Sequence, residues 1–517
     1  MKKSTKIIII VAVVVVVLAA VGVSLYFFTD IFDTFKKPKA LFYEYLGKAT
    51  ESSQDVSYEQ ALQQLKKSQE QSFKGTGKVS IKAESSYRDL EDILKVVNGM
   101  ELSFDVKSNP KDGKSYSKMG LKYDNKELVN LEMLANKDSI SIKVPEMLDK
   151  YITIENRDLK ALARKFGIDA SDIPNKIETL DIDLYELLYI SDKDIDSIKD
   201  RYKKVLEDAT EDDQYEKTTK KIKVKGESVE ATAYTLALTQ KDALKIAEEV
   251  LKSLKDDDTT LDIVLKKYDQ IIKVAEQMDS SSSMPSLSKS QLKSGIEYMI
   301  ESLKDVKTTS DEKLEITVYE YKGEAVRVEV SVDDTSIFVN IAKEKETTTY
   351  DFVVRSADEE MTVMTMAITK KGDKSYEVKL SSEIEGVKLS YTVLTEEKDS
   401  KMDIKMQAAV EVESIAKIEI NAEETIEYTD VDIESVSSSN SYVLNDMTPD
   451  EITQMLTNAL VKGAQHLDKN MDVIKSILTT LDMEDEADEF EQAIKTIVSG
   501  GATTGTPTTD PVAEPAA

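Results

Sequence analysis

Between Leu314 and Tyr428, apolar side chains recur at every second position, with charged or hydroxyl residues between them. Leu314, Ile316 and Val318 open the pattern; Val326, Val328, Val330 and Val332, then Ile337, Val339 and Ile341, continue it. Tyr376, Val378 and Leu380 follow, then Val387, Leu389, Tyr391 and Val393, then Ile404 and Met406, then Ile418 and Ile420. A period of two belongs to a strand, whose successive side chains point to opposite faces. Lys322-Gly323, Lys371-Gly372-Asp373 and Glu385-Gly386 fall between the runs, where hairpin turns call for positive φ. About eight consecutive strands of this kind predict a large antiparallel meander, wet on one side. Such a sheet twists and curls as it widens, and the helical segments flanking it are the expected cover for its apolar face.

A shorter version of the pattern precedes it. Val79, Ile81 and Ala83 alternate with polar residues, as do Leu102, Phe104 and Val106. Asp112-Gly113 and Asp124-Asn125 mark turns around a strand through Met119, Leu121 and Tyr123; Leu128 to Leu134 and then Ile140, Ile142 and Val144 complete the set. Helical spacing is read over 40–72, in a short insertion at Tyr87–Val97, over Arg157–Phe166 with Gly167 as its C-cap, and from Ile182 to Leu206. Two strands, Lys221–Val224 and Ala231–Leu238, lead to a helix capped by Thr239, a second from Thr260 to Met278 and a third from Ser288 to Leu303. SSSSMPS at 280–286 is a break by composition. Helices from Thr448 to about Val498 close the body, and the low-complexity end, 499–517, is expected to be disordered. KDGKSYSKMGLKY at 111–123 echoes KKGDKSYEVKLSS at 370–382, a resemblance that short hairpins also produce by chance.

At the other end, Ile7 to Phe28 runs without a charge. As a helix it would span roughly 33 Å, enough for a bilayer core of ~30 Å. Ile7, Val11, Val15, Leu18 and Val23 supply its apolar length, and Tyr26, Phe27 and Phe28 bring aromatic rings to the far boundary. Lys2, Lys3 and Lys6 precede it and set the topology, with the short basic head inside and the long body outside, although Lys36, Lys37 and Lys39 follow it. A cleaved signal peptide is the rival reading, with Ala20-Val21-Gly22 or Gly22-Val23-Ser24 as the processing site. The expected organisation is therefore a head at 1–6, a transmembrane anchor at 7–28 and a juxtamembrane helical segment at 29–74. An α+β half at 75–310 and a β-meander with closing helices at 311–498 follow. The expected fold class is α+β: a single N-terminal transmembrane helix, then large curved antiparallel β-meander sheets with covering helices.

Composition narrows the chemistry. A net charge of −30 argues against nucleic acid, which demands a basic footprint, and suits a soluble exported body. The chain has no cysteine, which removes disulfides, thiolate metal sites, cysteine nucleophiles and lipoprotein acylation. It also has no tryptophan, the favoured platform for stacking on sugars. His466 is the one histidine, read as a partly exposed helix residue. Asp192, Asp194 and Asp196 open a calcium-loop spacing that fails at Ser197 and Lys203, so they read as a solvated helix start. Ser-x-x-Lys pairs at Ser115/Lys118, Ser290/Lys293 and Ser310/Lys313 lack the companion motifs of acyltransferases. Asp256-Asp257-Asp258 and Glu211-Asp212-Asp213 read as surface charge. Met361, Met364 and Met366 cluster in one strand, with Met361 placed on the face opposite the other two. No catalytic, cofactor or metal motif is present, and neither an enzyme nor a cofactor is expected.

The stretch KDSISIKVPEMLDKYITIENRDLKALARKFGID at 137–169 resembles uncharacterised membrane-anchored exported proteins of clostridia and related Firmicutes. Long strands followed by covering helices are also similar, more loosely, to the LolA/LppX envelope lipoproteins. That likeness implies a curled sheet binding an acyl chain or other amphiphile beneath its helices; the chain departs from it in length and in lacking the lipobox cysteine. The expected partners are the membrane and a lipid-like ligand or an envelope protein. The alternative expectation is a structural or sensory ectodomain, and a hydrolase with a site built from scattered residues stands behind both.

Overall fold

The computed structural model describes residues 37–500, apart from 52–57, 172, 177–183, 225, 279–284, 307–312, 357–358 and 373. The proposed anchor Ile7–Phe28, the lysines Lys2, Lys3 and Lys6, and the expected tail beyond Gly500 lie outside the described residues. Among the described residues no helix is long and apolar enough to cross a membrane. The fold class expected from sequence is corrected accordingly: the described fold contains eighteen strands, nearly all antiparallel, with helices but no membrane-spanning one.

Two helices, α1 (Pro38–Glu51) and α2 (Tyr58–Glu70), come first. Strand β1 (Phe73–Ser85) and helix α3 (Glu91–Gly99) lead to β2 (Met100–Asn109), β3 (Lys114–Tyr123), β4 (Lys126–Asn136), β5 (Ser139–Lys143) and β6 (Tyr151–Glu155). Helices α4 (Leu159–Lys165), α5 (Leu184–Leu188) and α6 (Asp192–Ala209) precede β7 (Tyr215–Val224) and β8 (Glu227–Thr239). Helices α7 (Gln240–Asp256), α8 (Asp258–Met278) and α9 (Lys289–Lys304) follow. The long meander comprises β9 (Lys313–Tyr321), β10 (Glu324–Val332), β11 (Thr335–Glu344), β12 (Thr347–Ser356) and β13 (Glu359–Gly372). It continues through β14 (Ser375–Ile384), β15 (Val387–Lys398), β16 (Lys401–Val412) and β17 (Ala416–Tyr428). The short β18 (Ser441–Val443) and helices α10 (Pro449–Lys469), α11 (Met471–Thr480) and α12 (Glu484–Val498) end the described chain.

These elements form two compact units, one from residues 1–69 and 180–396, the other from 70–179 and 397–517. Each unit joins two distant stretches; in the second, β1 pairs with β17 along its whole length, from Phe73↔Tyr428 to Ser85↔Ala416.

In the first unit, β7 to β14 pair as successive antiparallel neighbours and β15 pairs with β14. Helices cover part of its apolar face. Phe42 and Leu46 of α1, Tyr202 of α6, and Ile246 and Val250 of α7 pack with Tyr234, Leu236, Val318, Ile341 and Tyr350 in the main core. Thr239 starts α7 as expected, its hydroxyl accepting from the Asp242 amide while the Asp242 carboxylate accepts from the Thr239 amide. The methionine reading is corrected here. Phe352 pairs with Met364 but Val353 pairs with Thr362, so a bulge at Val363 resets the alternation. Met361, Met364 and Met366 consequently share the face of Val354, Phe352 and Tyr350.

In the second unit the order is β16–β17–β1–β2–β3–β4–β5–β6, with β18 added in parallel beside β6. The hairpin loop between β3 and β4 is Asp124-Asn125, both with positive φ, the two-residue turn that keeps strand twist in register. Helix α3 is tied in by Asn98, whose side chain bonds both the amide and the carbonyl of Ala83. Ile452, Met455 and Ala459 of α10 pack with Leu148, Leu159 and Leu162, and Val473 of α11 packs with Val96 and Tyr123.

Candidate functional site

The sheet of the second unit carries an apolar face that its helices leave largely open. The register places Ala422 and Met406 with Val79, and Ile420 with Ile81. It then aligns Val79 with Leu102 and Leu121, and Phe104 with Met119 and Leu131. Met133, Ile142 and Ile152 form another row, and Ala135, Ile140 and Ile154 the next. Every one of the eight antiparallel strands contributes a large apolar side chain that stays exposed: Met406 on β16, Ile418 and Ile420 on β17, Ile81 on β1, Leu102 on β2, Met119 on β3, Val129 on β4, Ile140 and Ile142 on β5 and Ile154 on β6, at 36–53%. With strands ~4.8 Å apart, the face is about 34 Å wide. An apolar area of this extent is uncommon on a folded surface and marks a place where something apolar is received.

One acid interrupts it. Alternation puts Glu424 of β17 on this face, opposite Gly77 on β1 and Ile404 on β16. Among the described residues of these eight strands it is the only carboxylate so placed; the other strand acids fall on the opposite face. Burial among apolar neighbours pushes its carboxyl above the usual carboxylate range. Gly75 lies alongside, where a β-carbon would stand 2.9 Å from Val106 Cγ2 and 3.7 Å from Glu424 Oε1. The opposite face of the sheet is charged, with Lys74–Glu427, Lys78–Glu423 and Lys122–Glu101 paired across neighbouring strands.

The first unit also leaves part of its apolar face uncovered, at Ile337, Met361, Leu389 and Tyr391. Two clefts among its described residues are polar. One of about 950 Å³ lies at the strand ends near Lys48, Glu227, Lys322 and Glu324. The other, about 410 Å³, is lined by Glu329, Asp333, Asp334, Ser336 and Arg355. Beside it lies a buried charged cluster. Glu329 accepts from Tyr319 Oη at 2.9 Å and from Arg355 Nη1 at 3.0 Å, and both Arg327 and Arg355 stack on Phe338. Both oxygens of Glu329 are thus engaged, and burial lowers the Arg327 pKa.

The other residues singled out in the sequence are dispersed. His466, half-buried on α10, places Nε2 2.8 Å from the carbonyl of Leu128, a contact that sequence spacing did not reveal. Leu128 is the bulged residue between Leu121↔Val129 and Lys122↔Glu127, which leaves its carbonyl free for the imidazole. Asp192, Asp194 and Asp196 lie in the first turns of α6, where Ser191 caps the Asp194 amide. Among the described residues no group of three or more acidic or histidine side chains is placed to hold a metal. Ser115 and Lys118 project to opposite faces of β3, Lys293 is paired with Asp258, and Ser310 lies outside the described residues. Asp257 is not surface charge: it is 1% exposed and caps α8 through the amide of Thr260.

No family model matches the chain, and no curated protein matches it. A mutant of the vaccine antigen transferrin binding protein B from Haemophilus parasuis Hp5 aligns at 7% identity and a TM-score of 0.10, over 69% of this chain and 75% of that one. A double mutant of the same antigen aligns at 7% and 0.10, over 70% and 76%. OccK5 (OpdH) of Pseudomonas aeruginosa aligns at 6% identity and a TM-score of 0.11, over 69% and 96%. Likenesses at these scores carry no argument about fold or function.

Proposed function

We propose that this is a non-enzymatic binding protein of the extracytoplasmic side of a cell membrane, and that it receives a lipid or other amphiphile whose acyl portion lies along the open face of the second unit. One observation carries the reading: eight adjacent strands each expose a large aliphatic or thioether side chain on the same face. The composition of that face favours acyl chains over a protein partner. Protein hot spots are enriched in Trp, Tyr and Arg, whereas these positions are Ile, Leu, Val and Met, with the chain holding no tryptophan at all. Flexible thioethers at Met119 and Met406 adapt to chains of varied shape. Attachment to the membrane is assigned to the apolar run Ile7–Phe28, with the basic head Lys2, Lys3 and Lys6 inside and the body outside.

The ligand sits, in this reading, on an open sheet rather than in a cavity beneath helices. Native mass spectrometry of the purified protein should show co-purified lipid, and a fluorescent sixteen-carbon fatty acid should bind reversibly. Leu102→Asp and Ile420→Asp should each weaken that binding about tenfold or more, since each places a charge where apolar contact is required. Absence of both co-purified lipid and probe binding in the unaltered protein would sink the reading.

A second reading, an ectodomain that docks an envelope protein, draws on Leu456 and Leu460. They stand one turn apart on α10 and are exposed at 51% and 54%. Leu456→Lys with Leu460→Lys should leave fatty-acid binding intact, which separates the two surfaces.

A further inference from the structure

The acid on the open face has a defined setting. Glu424 belongs to the row Ile404–Glu424–Gly77–Phe104–Met119–Leu131, which crosses β16, β17, β1, β2, β3 and β4. Its carboxylate leans over β1, with Oε1 3.7 Å from where a β-carbon of Gly75 would stand. From the other side β2 reaches over the same strand. Phe104 Cε2 lies 2.6 Å from the β-carbon position of Gly77, and Val106 Cγ2 lies 2.9 Å from that of Gly75. Two glycines thus let a carboxylate and an aromatic ring lean toward each other across the strand between them. Both side chains are only partly buried, so this spot is reached from the open side of the face.

No basic group of the sheet answers the charge. Among the described residues Glu424 has neither an ion pair nor a hydrogen bond, and burial alone displaces its titration. Lys74, Lys78 and Lys405 of the adjoining strands pair in register with Glu427 and Glu423, on the opposite face. A carboxylate among apolar side chains is costly until an opposite charge or a hydrogen-bond donor meets it. On a surface that otherwise selects hydrocarbon, such a group reads the polar end of an amphiphile. It repels a carboxylate or phosphate head and makes a charge-assisted hydrogen bond to an ammonium. The ring of Phe104 adds cation–π attraction to the same head, a contact effective within about 6 Å of a ring centroid. From β17 to β6 is about 29 Å at ~4.8 Å per strand, so a tail has apolar surface to lie along. A second copy of the chain is a poor occupant, because packing face to face would bury two unpaired acids.

We propose that Glu424, with Phe104 beside it, makes the open face selective for amphiphiles with a cationic ammonium head, the head held over Gly75 and Gly77 and the tail running toward β6. This names the ligand class of the acyl-binding face and rests on that reading.

The test is displacement of a bound fluorescent sixteen-carbon fatty acid from the full chain at about pH 7. Dodecylamine, dodecanol and dodecanoate present a charged ammonium, a neutral and a carboxylate head on one tail. Dodecylamine should displace the probe at about tenfold lower concentration than dodecanol, with dodecanoate weakest. Glu424→Gln keeps the shape and loses the charge, and should bring the three within about twofold of one another. Phe104→Leu should weaken dodecylamine about threefold and leave dodecanoate unchanged. Glu423→Gln removes the same charge from the opposite face and should leave the order as it is, which separates a local effect from the net charge of the chain. Equal displacement by the three heads, an amine preference that survives in Glu424→Gln, or one that Glu423→Gln abolishes as fully, overturns the proposal and leaves the acyl-binding reading standing. Failure of the fatty-acid probe itself to bind removes both.

Discussion

The ring of Phe104 lies over Gly77 across the β1–β2 pair: a β-carbon on Gly77 would stand 2.6 Å from Phe104 Cε2 and 2.5 Å from the Glu423 carbonyl oxygen. The first obstacle is a side chain that can turn away; the second is backbone of β17 and cannot. Gly77→Ala should therefore destabilise the second unit by about 2 kcal/mol. Adding Phe104→Ala should fail to restore stability, which denaturant midpoints of the single and double variants would check.

Glu424 sets a pH dependence whose sign is fixed by its surroundings. Its carboxyl is raised by burial, so the folded chain prefers the neutral acid. That preference contributes stability below the ordinary carboxylate range, and the contribution is lost as pH rises through the raised folded value. Glu424→Gln stays neutral throughout. It should stabilise the protein at about pH 7 by ~0.5 kcal/mol, a figure discounted for solvent screening of a partly buried group, and should do little at about pH 4. Urea midpoints at the two pH values give the comparison.

Glu329 is 6% exposed, between Arg355, Tyr319 and Arg327. Removing its carboxylate takes the buried counter-charge from Arg355 and Arg327, which keep only Glu360 and the neutral Asn340 as polar side-chain partners among the described residues. Glu329→Ala should cost about 3–5 kcal/mol, while Glu329→Gln, which still accepts from Tyr319, should cost less. Thermal midpoints for the two variants would rank them, and equal losses would argue against the ionic account.

Asp257 joins α7 to α8 as a buried cap, accepting from the Thr260 amide at 3.1 Å and facing Arg201 at 3.5 Å. Asp257→Ala should cost about 2 kcal/mol, with accelerated amide exchange in the first turn of α8. Asp256→Ala, one residue earlier, is expected to be near neutral.

The strands of both sheets were readable because a one-sided sheet imposes a period of two, and their turns were readable from Asp124-Asn125, Lys322-Gly323 and Glu385-Gly386, all at positive φ where specified. Faces were less secure. One bulge at Val363 moved Met361 across the sheet, and nothing in MTVMTM signals it. The open apolar face needed register across eight strands, which no local pattern contains. Asp257 looked like its two acidic neighbours until Thr260 and Tyr202 were seen around it.

The pairing of β1 with β17 has a consequence for biogenesis. Ser85 bonds to Ile415, 330 residues further along the chain. At ~5–20 residues per second of synthesis, β1 waits tens of seconds for its partner strand, with an unsatisfied edge and an apolar face both open to other chains. The larger stretch of the first unit, from 180 to 396, is synthesised within that interval, and its 1–69 stretch is already made. The first unit is thus fully synthesised before β17 emerges, and the hazardous intermediate is a newly made chain in which β1 still lacks its β17 partner. A holding chaperone would act on that species, and truncation before β17 should yield an aggregation-prone product.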